Sequence, residues 1–358
     1  MLKIFSEVSA IEDIYVSDNY PNWQKVIGNQ ANIYLNIDQA SLVTALDGDD
    51  DEESILFMWY HENDAAKRPE ALGAQFQYAN NEELMIDEPY GIFILDVSEE
   101  KANELSMKYG IQIYSAQNLV DIQDFEIDFD FEENETIQCP AGKLKGFQFV
   151  LDSFKSEKSN STIIVDRNLF SNEEKSLNLG IDNMIRYFDT ILPTTLDAPY
   201  EILFVTENSR NFQLKPNIRD RVIKDLTKHI VQLREYYINI EVLLVHSSTV
   251  IFKHTHQRRI LKNYHFGNSE HGFAIFSIIN PEKIKNDNDF NLQAHYHSLL
   301  KEQTGIISIK KRNKLFNRLM EIKTEAEKQL NKQGQNDRYY RLFLNGDEST
   351  VITNRLLN

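Results

Sequence analysis

Between His254 and Phe273 the chain places four imidazoles, His254, His256, His265 and His271, two adjacent guanidiniums, Arg258 and Arg259, the amide of Asn263, and the small residues Gly267, Ser269 and Gly272. This is the composition a phosphate-handling site needs. An imidazole changes charge near neutral pH and can attack or pass a proton. A guanidinium presents a planar fork of donors that matches phosphate oxygens. A loop of small residues lets an anion approach the backbone. Within the stretch, His256, Arg258 and Asn263 stand in the spacing H-x-R-x4-N.

The histidines give two other readings of the same place. Seven of the nine, His246, His254, His256, His265, His271, His295 and His297, fall within about fifty residues, so the region is either a ligand set, a phosphate site or a polar cluster at a sheet edge. His254 and His256, two residues apart, share one face if the segment is a strand, and could chelate zinc with His265 or His271 as a third ligand. No cysteine joins them and no acidic residue lies inside the H-x-H turn. Neither a metal nor a cofactor is therefore assigned. His295 and His297 lie in a polar segment and read as surface.

The elements that must position these groups are legible upstream. Residues 162–165 read as a strand ending in Asp166 and Arg167, and Ser171 with Glu174 has the S-x-x-E form of a helix-capping box. Ile181, Met184, Ile185, Phe188 and Ile191 follow at helical spacing. Residues 201–206 form the next strand. Ile218, Val222, Leu226, Ile230 and Leu233 mark an amphipathic helix, and 240–245 and 249–254 return as strands. Strand, helix, strand, helix, strand is the pattern of an α/β sandwich with a largely parallel sheet. Sites in such sheets gather at the carboxyl ends of the strands, which is where Asp166, Glu207 and His254 are expected.

Asp166-Arg167 closing an apolar strand, two further strand-helix units, H-x-R-x4-N and the turn into Gly272-Phe273 together resemble the phospholipase-D-like domain, over residues 145–280. The signature of that family is H-x-K-x4-D. The likeness is greatest to its divergent branch in the C-terminal domain of the MIT-domain-containing midbody protein and in bacterial proteins with an H-D-R…T-N-Y…G-x-G-F pattern. The resemblance implies His256 as nucleophile or its partner, Arg258 as phosphate ligand and Asn263 as the orienting residue, with Asp166, Arg167, His254, Arg259 and Ser269 lining the substrate. In active members two motif copies meet at one site, so a homodimer is implied for a chain with one copy. The divergent branch binds rather than cleaves. Here Arg and Asn replace Lys and Asp, and Asn carries no charge to favour an imidazolium.

Residues 306–333 read as a long helix with Lys310, Lys311, Arg312, Lys314 and Arg318 at its start and Ile309, Leu315, Phe316, Leu319 and Ile322 as its packed stripe. The basic groups either form a solvated face or, with Lys310, Lys311 and Arg312 foremost, contact phosphates and make binding fall with salt.

The N-terminal half is electrostatically opposite. Residues 1–140 hold 6 Lys+Arg against 30 Asp+Glu, a charge of −24, while 141–358 hold 32 against 25, or +7. Apolar runs at 55–60 and 91–97 read as buried strands. Ser98, followed by Glu99 and Glu100, reads as the cap of a helix that Gly110 ends before a strand at 111–114. The run 47–53 lacks the spacing of a calcium loop and reads as exposed. From Asp124 to Glu132 acidic and apolar residues alternate strictly. That period means a strand with one carboxylate face, either an edge protected by its charge or a surface that docks on cations.

Three segments are expected: an acidic α/β domain over 1–140, the phospholipase-D-like domain over 141–305, and a basic helix with a C-terminal extension over 306–358. The composition is that of a soluble globular protein, with no run near the about 20 apolar residues of a membrane span. The N-terminus lacks the form of a secretion signal, and the single Cys139 cannot form an internal disulfide, so a cytoplasmic home is expected. Walker, dinucleotide-binding, nucleophile-elbow and H-E-x-x-H motifs are absent. The sequence points to a phosphodiester-handling protein that binds or cleaves nucleic acid, in bacterial defence by its resemblance. The other reading is a non-catalytic interaction module whose acidic domain binds a protein partner.

Overall fold

The computed structural model describes the chain apart from residues 1, 30, 48–53, 74–81, 124–125, 132–157, 171–178, 209–215, 253–257, 270–287, 301 and 335–338. It is an α/β protein of two compact units, Met1–Phe125 with Ala294–Ile309, and Glu126–Gln293 with Lys310–Asn358.

The first unit is built on five parallel strands, β1 (Lys3–Ser6), β2 (Asn32–Leu35), β3 (Glu70–Ala71), β4 (Gly91–Leu95) and β5 (Gln112–Ser115), in the order β3-β2-β1-β4-β5. The helices α1 (Val8–Val16), α2 (Pro21–Gly28), α3 (Gln39–Asp47), α4 (Ile55–Glu62) and α5 (Glu99–Tyr109) connect them. Strand order reverses direction between β1 and β4, the doubly wound arrangement. At the centre Phe5 stacks between Tyr34 and Phe93, with ring centroids 5.0 and 4.8 Å away. The first turn of α2 has no side-chain cap of its own. Instead the Asp121 carboxylate accepts the amides of Asn22 (3.2 Å) and Trp23 (3.0 Å), satisfying orphan donors from a hundred residues away.

The 91–115 strand-helix-strand unit forms as expected: Ser98 accepts from the Lys101 amide, and Gly110 closes α5 in the left-handed region at φ 65°. Residues 55–60 do not form the expected strand. They are α4, because the Ser54 hydroxyl accepts the Phe57 amide at 3.0 Å and starts a helix. Its Leu56 and Trp59, three apart, are the pair it buries. An apolar run this short fits either period.

The second unit carries a nine-stranded sheet in the order β14-β13-β9-β8-β7-β10-β11-β12-β6. Its strands are β6 (Glu126–Phe131), β7 (Ser161–Val165), β8 (Tyr200–Glu207), β9 (Ile238–Val245), β10 (Arg258–Lys262), β11 (His265–Ser269), β12 (Asn288–Ala294), β13 (Tyr340–Leu344) and β14 (Asp347–Glu348). The sheet is mixed. β7, β8 and β9 are parallel, while β10 and β13 flank them antiparallel. The acidic alternating segment is the edge strand β6, paired with β12, so it belongs to this sheet rather than to the N-terminal one.

Helices α6 (Leu179–Ile191) and α7 (Pro216–Val231) link the parallel strands. Phe188 meets Phe204 edge-on at 5.8 Å, and Arg219 lies over the Phe343 ring, which puts both helices on one face. The other face holds residues 352–357: buried Glu241 accepts the amides of Thr353 (2.6 Å) and Asn354 (2.9 Å), and Glu201 pairs with Arg355 at 3.2 Å. The long helix α8 (Glu302–Gln333) covers the same face through Glu327 to the Ile352 amide and Lys323 to the Leu357 carbonyl. Of the expected strand at 249–254, the described residues 249–252 form no strand, and 253–254 lie outside the described residues. Hydrogen bonds from Thr249 to His246 and from Phe252 to Thr249 close turns that lead into a 3-10 turn, Val250–Phe252.

Candidate functional site

The carboxyl edge of β7 and β8 carries two ion pairs of one design. β7 runs out at Val165, and the Asp166 amide still donates to the Val205 carbonyl at 3.1 Å, which holds the next side chains at the sheet edge. Asp166 is 2% exposed; its Oδ1 accepts the Asn168 amide at 2.8 Å and the Arg258 Nε at 3.4 Å. Arg258 arrives there because β10 runs antiparallel to β7 with Arg259 opposite Val165. One strand over, Arg167 pairs with Glu207, the fully buried last residue of β8. The Glu207 amide and the Thr206 hydroxyl both donate to the Arg167 carbonyl, at 3.3 and 3.4 Å.

A buried carboxylate is tolerable only when paired and hydrogen-bonded. Here each carboxylate is buried while its guanidinium is partly open, with side-chain exposures of 16% for Arg258 and 27% for Arg167. The carboxylates thus act as supports that aim cations at the edge of the sheet. Oriented guanidiniums of this kind are matched to phosphate and carboxylate ligands.

The structure separates the H-x-R-x4-N residues. Arg258 is at the carboxyl edge and Asn263 is at the other end of β10, about 16 Å further along at strand rise. Asn263 is fully buried, and its Oδ1 accepts from the Ser159 hydroxyl (3.1 Å), the Asn160 amide (3.0 Å) and the Ser161 amide (3.0 Å), while its Nδ2 donates to Asn160 (2.8 Å). It fixes the entry into β7 and is not brought to Arg258. His254 and His256, with Gly272 and Phe273, lie outside the described residues. Ser269 is buried opposite Arg258 in the β10–β11 register.

Arg259 points to the opposite face from Arg258, half-buried over the Phe266 ring at 5.9 Å. On α8, Lys310 and Lys311 are exposed, whereas Arg312 is buried against its own neighbour, donating to the Asn313 side-chain Oδ1 at 3.0 and 3.2 Å. His295, expected at the surface, is buried with its ring 5.7 Å from that of Tyr90. Its segment is polar in composition, but Tyr296 beside it anchors through its hydroxyl to the Gln123 carbonyl at 2.6 Å.

Two further groups lie outside the motif reading. Lys262 and His265, which bracket the β10–β11 turn, are both buried. Burial alone pushes the Lys262 amine down to about 7, and burial followed by the Lys262 charge holds the His265 imidazole well below its ordinary range. The only signal for Lys262 in the sequence is alternation, two residues beyond Ile260 on the same strand face, whereas His265, a candidate third zinc ligand by sequence, is buried in β11. Among the described residues no group of three His, Cys, Asp or Glu is placed to hold a metal ion, and no helix is long and apolar enough to cross a membrane. No protein-family model and no curated protein matches this chain.

Proposed function

We propose that the second unit is a phosphodiester-handling domain of divergent phospholipase-D-like type that takes the phosphates of nucleic acid at the carboxyl edge of β7, β8 and β10. The observation that supports this reading most is the pair of guanidiniums, Arg258 and Arg167, each held by a buried carboxylate, Asp166 and Glu207. His256, two residues before Arg258, is the candidate for attack on phosphorus. The burial of Asn263 in a structural network favours a second reading, in which the domain binds phosphate without cleaving it and the acidic unit receives a protein partner. A homodimer would bring a second motif to the site in the first case. The lone Cys139 supports a cytoplasmic setting, and the resemblance to bacterial proteins supports a role in defence.

Binding and cleavage of labelled single- and double-stranded DNA and RNA, across a salt series with and without divalent metal, test the proposal. Arg258→Gln is combined with Asp166→Asn, and Arg167→Gln with Glu207→Gln, so that no buried carboxylate is left unpaired. Both double variants are expected to weaken binding by about tenfold or more, at the scale of charge-assisted contacts. Loss of cleavage in His256→Ala assigns attack to that imidazole, whereas binding without cleavage in the wild type selects the second reading. Undiminished binding by both double variants overturns the site.

A further inference from the structure

Arg259 is the one arginine of the β10 start that has neither a carboxylate nor a carbonyl against it among the described residues. By register it shares a face with Val165, Val205 and Leu243. That is the face α8 covers, since the segment pinned by Glu241 and Glu201 is also pinned by Glu327 and Lys323 of α8. The group whose charge reaches Arg259 there is another cation, Arg318 of α8, and burial together with that charge holds the Arg259 guanidinium below its ordinary value. Arg259 stays protonated nonetheless, as arginine does in proteins. Two like charges brought together at a half-buried place are unfavourable unless an anion joins them.

The helix extends the pattern. Lys311, Lys314 and Arg318 are spaced i, i+3, i+7, which places them along one flank of the buried stripe Leu315, Leu319, Ile322, Ala326 and Leu330. Lys311 and Lys314 are exposed. At helical rise the three span about 10 Å. Arg167, at the carboxyl end of β7, shares the α8 face through its Glu207 partner, which alternates with Val205 and Leu203 on β8. The cations on this face therefore run from the sheet edge to the helix.

We propose that Arg259 and Arg318 clasp a backbone phosphate of a nucleic acid, and that Lys314 and Lys311 carry the same strand onward along α8. The track rests on the reading of the carboxyl edge as a phosphate site and gives that site a direction: the polyanion leaves it over the α8 face. Relief of repulsion predicts that Arg259→Gln and Arg318→Gln, alone or together, leave the thermal midpoint in low salt unchanged or raise it.

The experiment measures binding of a labelled DNA duplex against salt for wild type, Arg259→Gln/Arg318→Gln and Lys311→Gln/Lys314→Gln, together with the rise in thermal midpoint caused by tripolyphosphate. Each phosphate contact contributes about 0.9 to the slope of log K against log salt. With both arginines on one phosphate, the arginine double variant is expected to reduce that slope by about 0.9 and the lysine double variant by about 1.8, and the arginine pair alone to abolish the tripolyphosphate effect. Unchanged slopes, or an equal tripolyphosphate effect in wild type and the arginine variant, overturn the proposal. If the wild type binds no duplex at any salt but tripolyphosphate still acts through Arg259 and Arg318, the carboxyl-edge reading fails and the anion clasp stands.

Discussion

Lys262 shows how far burial can move one group. Its amine sits on β10 opposite Thr162, 1% exposed, beside the equally buried His265. A lysine with a native pKa of about 7 binds fewer protons between pH 7 and 10.5 than it does unfolded. The unfolded chain therefore takes up the extra proton, and stability must rise with pH across that window. At about 1.4 kcal/mol per unit the full window corresponds to about 5 kcal/mol. Glu241 acts in the opposite sense and lower down. Burial raises its carboxyl to about 7 from 4.5, so the native state holds the proton more tightly and stability falls as pH rises through that range. The tyrosines raised by burial, Tyr187 and Tyr200 among them, oppose the lysine only above pH 10. Urea midpoints are thus expected to climb between pH 7.5 and 9.5, and Lys262→Met should flatten the climb. A climb of the same size in the variant would assign it to another group.

At the scale of elements, what was legible followed from whether local signals sufficed. The 91–115 unit has a capping serine, acidic residues in the first helical turn and a glycine in the left-handed region, and each of these is read off neighbours in the chain. Glycine has no Cβ to clash there, whereas alanine carries a cost of about 1–2 kcal/mol. Gly110→Ala is accordingly expected to lower the unfolding free energy measured in urea by that amount with an unchanged m-value; a silent substitution would mean that α5 ends by some other device. The strands β7, β8 and β9 were legible for a similar reason, as apolar runs between amphipathic helices. Residues 55–60 and 249–252 were not, since the Ser54 cap and the turns closed on the His246 and Thr249 carbonyls rest on hydrogen bonds that hydropathy does not register. At the site, Asp166 and Arg167 could be found from the end of a strand, but the task of Asn263 could not. It depends on a partner sequence, Ser159 to Ser161, a hundred positions away.

At the scale of the whole molecule the two units differ in charge even more clearly than in fold. The first holds 7 Lys+Arg against 25 Asp+Glu, or −18; the second holds 31 against 30, or +1. On the proposed reading, a near-neutral unit would bind a polyanion through local arrangement, with Arg258, Arg167, Arg259 and α8 supplying cations where the sheet and helix place them. The acidic unit is covalently joined to it, and its field reaches further as salt is removed. The Debye length grows from about 10 Å at 0.1 M to about 30 Å at 0.01 M. Counterion release alone gives a straight line of log K against log salt. Self-repulsion between nucleic acid and the acidic unit should bend that line, so that affinity gains less than the slope demands below about 0.03 M, where the Debye length passes about 18 Å. Duplex binding followed from 0.3 M down to 0.01 M at pH 7.5 would reveal the bend. A line that stays straight to the lowest salt would mean that the −18 unit exerts no field at the binding surface, and that its acidity serves a separate partner.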